Sequence, residues 1–340
     1  MFEIRGTTKP MPPSHSPTPT PIRLENAELT LSVFPEIGAK IFDLIDRRTG
    51  QNFLWHNPRI APQGYPVEAN FDNYWCGGWD DGFPTCELCT HNGEVYPNLG
   101  ELRSVQWGAD LECVASAEPS VTLTAHGPIS PIFARKTIRL RGGTVEMDFT
   151  IEHQGHLPVD FLWGTHPAYA IEPGCRIHIP ARTGIVGQAN RPVLGEPGQR
   201  YGWPILKTPH GQLDMSRIAA PGEWSSGHYA TDLTAGWYAV EYPGRASGLL
   251  FEFPLEVCPY LWLWLSYGGW RGHYVAVVEP WTSCPVTLSE AVAAGTHRVL
   301  QPGEAFRCSV RATPWRAPAT LRQLLDERGL QLGEEKDFSK

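Results

Sequence analysis

A histidine and a glutamate, far apart in the chain, each stand where a proline cuts short an apolar strand. His166 precedes Pro167 in Trp163-Gly164-Thr165-His166-Pro167-Ala168-Tyr169, and Glu279 precedes Pro280 at the end of His273-Tyr274-Val275-Ala276-Val277-Val278-Glu279. Proline has no N–H for a sheet ladder, so the side chain before it is carried to a strand end. An imidazole titrates near neutrality and suits proton transfer. A carboxylate after so apolar a run is rarely placed there unless it is paired or working, and desolvation raises its pKa toward base duty. For His166 the plain alternative is a hydrogen-bonded structural histidine.

Other segments supply groups that could hold a polar ligand. Gly77-Gly78-Trp79-Asp80-Asp81-Gly82-Phe83-Pro84-Thr85 combines a flexible backbone with two carboxylates and an indole. These suit a sugar, with acceptors for hydroxyls and a flat surface for C–H groups. The bland reading is a turn with a solvated acidic pair. Tyr96-Pro97-Asn98-Leu99-Gly100-Glu101-Leu102-Arg103 reads in isolation as a turn entering a strand, with Glu101 and Arg103 a same-face surface pair. In Pro259–Trp270 the leucines alternate with Trp262 and Trp264, so the tryptophans are either core or the aromatic wall of a cleft. Cys86, Cys89 and His91 invite a zinc reading, but the second ligand pair of a structural zinc site is missing, so no metal is expected. The sequence contains no G-x-S-x-G elbow, P-loop or dinucleotide fingerprint.

Strands must position these groups. The chain has 340 residues, and 34 Gly with 32 Pro disfavour long helices. Alternation in Leu29–Val33 and runs such as Phe133–Arg141, Thr144–His153, Tyr260–Ser266 and Ala305–Ala312, separated by Gly/Pro turns, predict an all-β architecture. Residues 181–235, with scattered Gly, Pro and Trp, read as long loops. Short helices are expected at Leu288–Ala294 and around Leu321, Leu324 and Leu325. The expected organisation is an N-terminal arm at 1–22, one β domain at 23–315, and a C-terminal helix with a polar tail at 316–340. A net charge of −8 without a basic run argues against nucleic acid, and no stretch is apolar enough for a membrane helix. The N-terminal residues lack a secretory apolar core, and eight cysteines are too sparse for a disulfide scaffold, so a cytoplasmic protein with reduced thiols is expected.

In order along the chain, Phe34-Pro35-Glu36-Ile37-Gly38-Ala39-Lys40-Ile41, Gly77–Thr85, His166-Pro167-Ala168-Tyr169, Pro259–Trp270 and Val278-Glu279-Pro280-Trp281-Thr282 resemble elements of the aldose 1-epimerase (galactose mutarotase-like) superfamily. The resemblance spans about residues 24–312. It implies an antiparallel β-supersandwich with few short helices and a cleft for a small-molecule carbohydrate, an aldose. It implies His166 as the acid at the ring oxygen and Glu279 as the base at the anomeric hydroxyl, with no cofactor. Trp79, Asp80, Asp81, Glu101, Arg103, Tyr169 and Trp264 are the candidate sugar contacts. Where many relatives carry a His-Gly pair, this chain has Leu99-Gly100, so either the substrate differs, or a neighbour such as Arg103 or Asp80 substitutes, or activity is weakened. Asp214 and Asp232 are candidates for a mid-chain carboxylate. A sugar-binding protein without chemistry, or a lyase or glycosidase, are the rival readings on the same scaffold.

Overall fold

Strand alternation becomes two facing antiparallel sheets in the computed structural model, which describes residues 19–331. Most of the expected arm at 1–22, and the tail from 332 onward, lie outside that range. The larger sheet has eleven strands. Its path runs Ile22–Glu25, Leu29–Phe34, Lys40–Asp46, Trp79–Gly82, Gly164–Tyr169, Tyr274–Trp281, Tyr260–Tyr267, Ser225–Thr231, Thr183–Ala189 and Arg200–Gly202, with Gln51–Asn52 paired beside Lys40–Asp46. The second sheet has eight strands, from Arg176–His178 through Trp237–Tyr242, Ser247–Glu252, Ala305–Arg316, Thr144–His153, Ile132–Arg141 and Ser120–His126 to Gly108–Asp110.

Side chains of a strand point alternately to its two faces, and this divides the large sheet cleanly. Ile41, Trp79, Tyr169, Leu261, Leu263, Leu265, Ala276 and Val278 pack with Ile138, Met147, Phe149 and Phe251 of the second sheet, forming the main core. The opposite face carries Ala168, Val277, Trp281 and Trp262, which pack with Phe34, Ile37, Trp55, Phe71 and Trp75. His166 and Glu279 have the parity of this outer face. Leu288–Ala294 forms a helix here that buries Leu288 and Ala291. Leu321–Glu327 forms a second helix, opened by a Thr320–Gln323 capping box, with Leu321 and Leu325 against Trp237, Leu250 and Trp315.

Residues 181–235 are not long loops. Thr183–Ala189 and Ser225–Thr231 are full strands of the large sheet, and Ile205–Thr208 pairs with Gly211–Asp214 as a hairpin. Their glycines suggested loops for a reason visible only in three dimensions. A Cβ on Gly187 or Gly227 would lie 2.5 or 2.4 Å from the Trp262 ring, and one on Gly184 would lie 2.1 Å from Tyr201. These glycines make room for aromatic rings laid flat on the sheet.

Candidate active site

The register brings six side chains into one row across the outer face. Ile41 pairs with Trp79, which sets Lys40 opposite Asp80. Asp80 pairs with His166. Between the pairs Gly164–Trp281 and Ala168–Val277, His166 comes opposite Glu279. Glu279 pairs with Trp262, and Trp262 with Tyr229. Side chains directly opposite on antiparallel strands share a face with Cβ atoms roughly 5 Å apart. The row Lys40–Asp80–His166–Glu279–Trp262–Tyr229 is therefore a consequence of pairing.

His166 Nε2 and Glu279 Oε1 face one another at 3.8 Å, beyond hydrogen-bond range. The other carboxylate oxygen is fixed, because Trp281 Nε1–H donates to Glu279 Oε2 at 3.0 Å. Trp281 is held there by two absent side chains. A Cβ on Gly164 would sit 2.1 Å from its ring, and one on Gly82 would sit 2.4 Å away. Glu279 has no exposed surface and His166 retains 8%. Burial pushes the Glu279 carboxyl well above the usual carboxylate range, with the Trp281 hydrogen bond pulling the other way. Burial pushes His166 down to about 4; the Asp80 carboxylate opposes that shift and the Lys40 ammonium adds to it. Burial thus works toward the neutral form of each group.

Lys40 Nζ lies 2.5 Å from both oxygens of Asp80 and donates to the Gly77 carbonyl at 3.0 Å. Burial alone would lower the Lys40 pKa, but the Asp80 carboxylate overrides it and holds the ammonium above its ordinary value.

The segment 57–75 closes over the row. Trp75 and Phe71 set their rings 5.9 and 6.3 Å from the His166 ring. Trp264, half-buried, stands 5.9 Å from Trp75 and 5.1 Å from Trp270. Arg103 lies over Tyr65 at 5.1 Å and Phe71 at 5.3 Å. The segment is strapped from outside, since Arg271 Nη1 donates to the Asp72 carbonyl at 2.6 Å and to Asn73 Oδ1 at 3.1 Å. Around this neighbourhood His166 Nδ1, Glu279 Oε1, Trp75 Nε1, Tyr65 OH and Arg103 Nη1 are buried without a hydrogen-bond partner among the described residues. Such atoms are costly unless something polar satisfies them. Two surface clefts lie elsewhere. One of about 480 Å³ sits between Thr313–Arg316 and the last helix, and one of about 240 Å³ beside Trp224 and Tyr267.

Of the candidate residues, His166, Glu279 and Asp80 come together directly, Trp264 through Trp75, and Arg103 through Phe71. The others are placed apart. Asp81 points to the opposite face, 2.7 Å from Lys136 of the second sheet. Trp79 and Tyr169 also face the main core; the indole donates to Thr165 Oγ1, and the phenol meets Tyr238 OH at 2.5 Å. Glu101 and Arg103 are not a surface pair, because both are buried. Glu101 accepts the backbone N–H groups of Ile129 and Ser130 at 2.6 and 2.9 Å, and Arg103 donates to the carbonyls of Asn98, Val67 and Ala69. Leu99 is buried among the aromatic residues of the outer face. Asp214 accepts from Ser216 and Arg217, and Asp232 from Thr183. Cys86 and Cys89 are buried, while His91 lies 2.8 Å from Asp160. Sequence reasoning did not single out Lys40, Phe71, Trp75 or Trp281. Lys40 carried a signal, a cation between Ala39 and Ile41 in a strand.

No family model matches the chain, and no curated protein matches it by sequence. Solved structures do match in shape. A Klebsiella pneumoniae protein provisionally named an aldose 1-epimerase superposes with a TM-score of 0.69 at 14% identity, over 90% of this chain and 82% of that one. A Synechocystis protein gives 0.65 at 19% identity, over 88% and 98%. A galactose mutarotase-like protein from Lactobacillus casei gives 0.60 at 15% identity, over 87% and 100%. At these identities the likeness carries the architecture and not the activity: this chain has the galactose mutarotase-like β-sandwich fold.

Proposed function

We propose that the protein is an aldose 1-epimerase-like isomerase that interconverts sugar anomers with His166 and Glu279. The observation that carries the reading is the facing pair itself, Nε2 and Oε1 at 3.8 Å, each buried and neither bonded to the other. Two groups so spaced suit the two oxygens that share an anomeric carbon. We assign the resting proton to Glu279, the form that its burial favours. Opening then begins with Glu279 giving its proton to the ring oxygen while His166 takes the proton of the anomeric hydroxyl. The C1–O5 bond breaks, and a free aldehyde forms. Rotation about C1–C2 presents the other face of the carbonyl, and closure returns each proton to the group that held it. This order inverts the one that the resemblance implies, but both groups give and take a proton in each turnover, and no cofactor enters the step.

The orphaned Trp75, Tyr65 and Arg103 donors suit sugar hydroxyls, and Trp264 and Trp270 suit a C–H face. Entry requires the 57–75 segment to move aside, since Phe71 and Trp75 lie over His166. Asp80 is held by Lys40 and Asp81 lies on the other face, so neither of the two candidate carboxylates is free to act as a glycosidase's second acid opposite Glu279. Leu99 favours the second reading, a sugar-binding protein without chemistry. The test is anomer exchange followed by NMR over a panel of aldoses. Exchange catalysed by the wild type and lost in Glu279→Gln supports the isomerase. Calorimetric sugar binding without exchange selects the second reading.

A further inference from the structure

The ion pair at the end of the row has no step in that mechanism, yet the register sets its carboxylate directly opposite His166. Lys40 and Asp80 are 1% and 2% exposed, and the ammonium contacts both carboxylate oxygens at 2.5 Å. The pairing register puts Asp80 directly beside His166, on the side away from Glu279. An uncompensated carboxylate there would favour the imidazolium; a compensated one leaves the imidazole neutral. We propose that Lys40 is a positioning residue that clamps the Asp80 carboxylate and so keeps His166 as a free base opposite Glu279. The inference deepens the epimerase reading and rests on it for its use, because a neutral imidazole is what accepts the anomeric proton.

Every other element packed on His166 leaves the clamp as the adjustable charge. Glu279 faces it from the Tyr274–Trp281 strand, itself held toward the protonated form by burial. From the covering segment come Phe71 and Trp75, which are uncharged, with Tyr65 near the Lys40–Asp80 pair and Arg103 beyond Phe71. The Cys76 thiol lies by the same pair, and burial pushes its pKa up, so it adds no charge at neutral pH. The depressed titration of His166 agrees with this arrangement.

The experiment is an NMR titration of the His166 imidazole in the full chain, run on wild type, Lys40→Met and Asp80→Asn. Lys40→Met frees the carboxylate, so the His166 pKa should rise by about 1 to 3 units. Asp80→Asn removes the carboxylate beside the ring, whichever form Lys40 then takes, so the imidazole should stay neutral down to the lowest pH at which the fold survives. In the folded variants the acid limb of the anomer-exchange profile should move with the titration. Should Lys40→Met fail to fold, Asp80→Asn carries the test in the opposite sense. A His166 titration unmoved in Lys40→Met, or raised in Asp80→Asn, overturns the clamp. Because the titration needs no turnover, its result is independent of whether the wild type exchanges anomers.

Discussion

Gly164→Ala is the smallest change that should disable the site without touching a proton-transfer group. The new methyl would lie 2.1 Å from Trp281 Cδ2 and 2.4 Å from Cε2, where ordinary contacts begin near 3.4 Å, so the indole must retreat by more than an ångström. Trp281 is fully buried, and retreat has to be absorbed by packed neighbours. Overpacking of this kind costs about 1–3 kcal/mol of stability. The same retreat stretches the 3.0 Å bond from Nε1 to Glu279 Oε2 out of range and frees the carboxyl to rotate. A misplacement of about 1 Å at a reacting group can cost roughly a hundredfold in rate. We therefore expect the kcat/KM for anomer exchange to fall by about 10- to 100-fold, with a denaturant midpoint lowered to match the packing cost. Trp281→Phe separates the two effects. It removes the donor while relieving the crowding, so it should keep the rate loss and lose less stability. In the combined variant the stability penalties should be less than additive, since the methyl then meets a smaller ring. Wild-type exchange and an unchanged midpoint in Gly164→Ala would refute the role given to the indole.

Three further outcomes are expected. His166→Asn and Glu279→Gln should each slow anomer exchange by about 10²–10⁴-fold while sugar binding survives, and exchange at the wild-type rate in either would remove the mechanism. His166 and His228 are both pushed down to about 4 by burial, so the unfolded chain binds protons that the folded one refuses between about 6.5 and about 4. The stability they contribute is full above pH 6.5 and is lost as pH falls through 4, up to about 3 kcal/mol for each; urea midpoints at pH 7 and pH 4.5, with and without His228→Gln, read it. Arg271→Ala removes the donors to Asp72 and Asn73, so amide exchange across 57–75 should quicken by about threefold or more, and unchanged protection would mean that the strap does not hold that segment.

The sequence made the strands legible where one face is polar or where an apolar run ends abruptly. Glu279 stood out as a carboxylate after an apolar run and His166 by the proline that follows it, but neither proline ends its strand: the ladders run on through Pro280 and Pro167. The partners that orient them left no such mark. Trp281 donates to Glu279 only because Gly82 and Gly164, on two different strands, come to lie beneath its ring. That coincidence is a product of register and has no local signature. The same physics misled the reading of residues 181–235, where glycines that receive Trp262 and Tyr201 looked like loop residues. Asp80 and Asp81 read as one acidic pair, because adjacency in sequence hides that a strand sends neighbours to opposite faces. Lys136 was findable, being a lone cation among the inward-facing Ile132, Ala134, Ile138 and Leu140.

The divergence of Asp80 and Asp81 has a consequence for folding. Each carboxylate meets its own lysine, Lys40 on one side of the sheet and Lys136 on the other, at 2.5 and 2.7 Å. If Trp79–Gly82 slid along its neighbours by a single residue, both acids would change faces; one lysine would meet the other acid, and the second lysine would be stranded in a dry interior without a partner. Apolar strands tolerate such slippage poorly; a strand keyed by two buried charges on opposite sides adds to that penalty the cost of an unpaired buried charge. The two lysines thus act as a lock with two wards, admitting only the alignment in which the imidazole and the glutamate stand face to face.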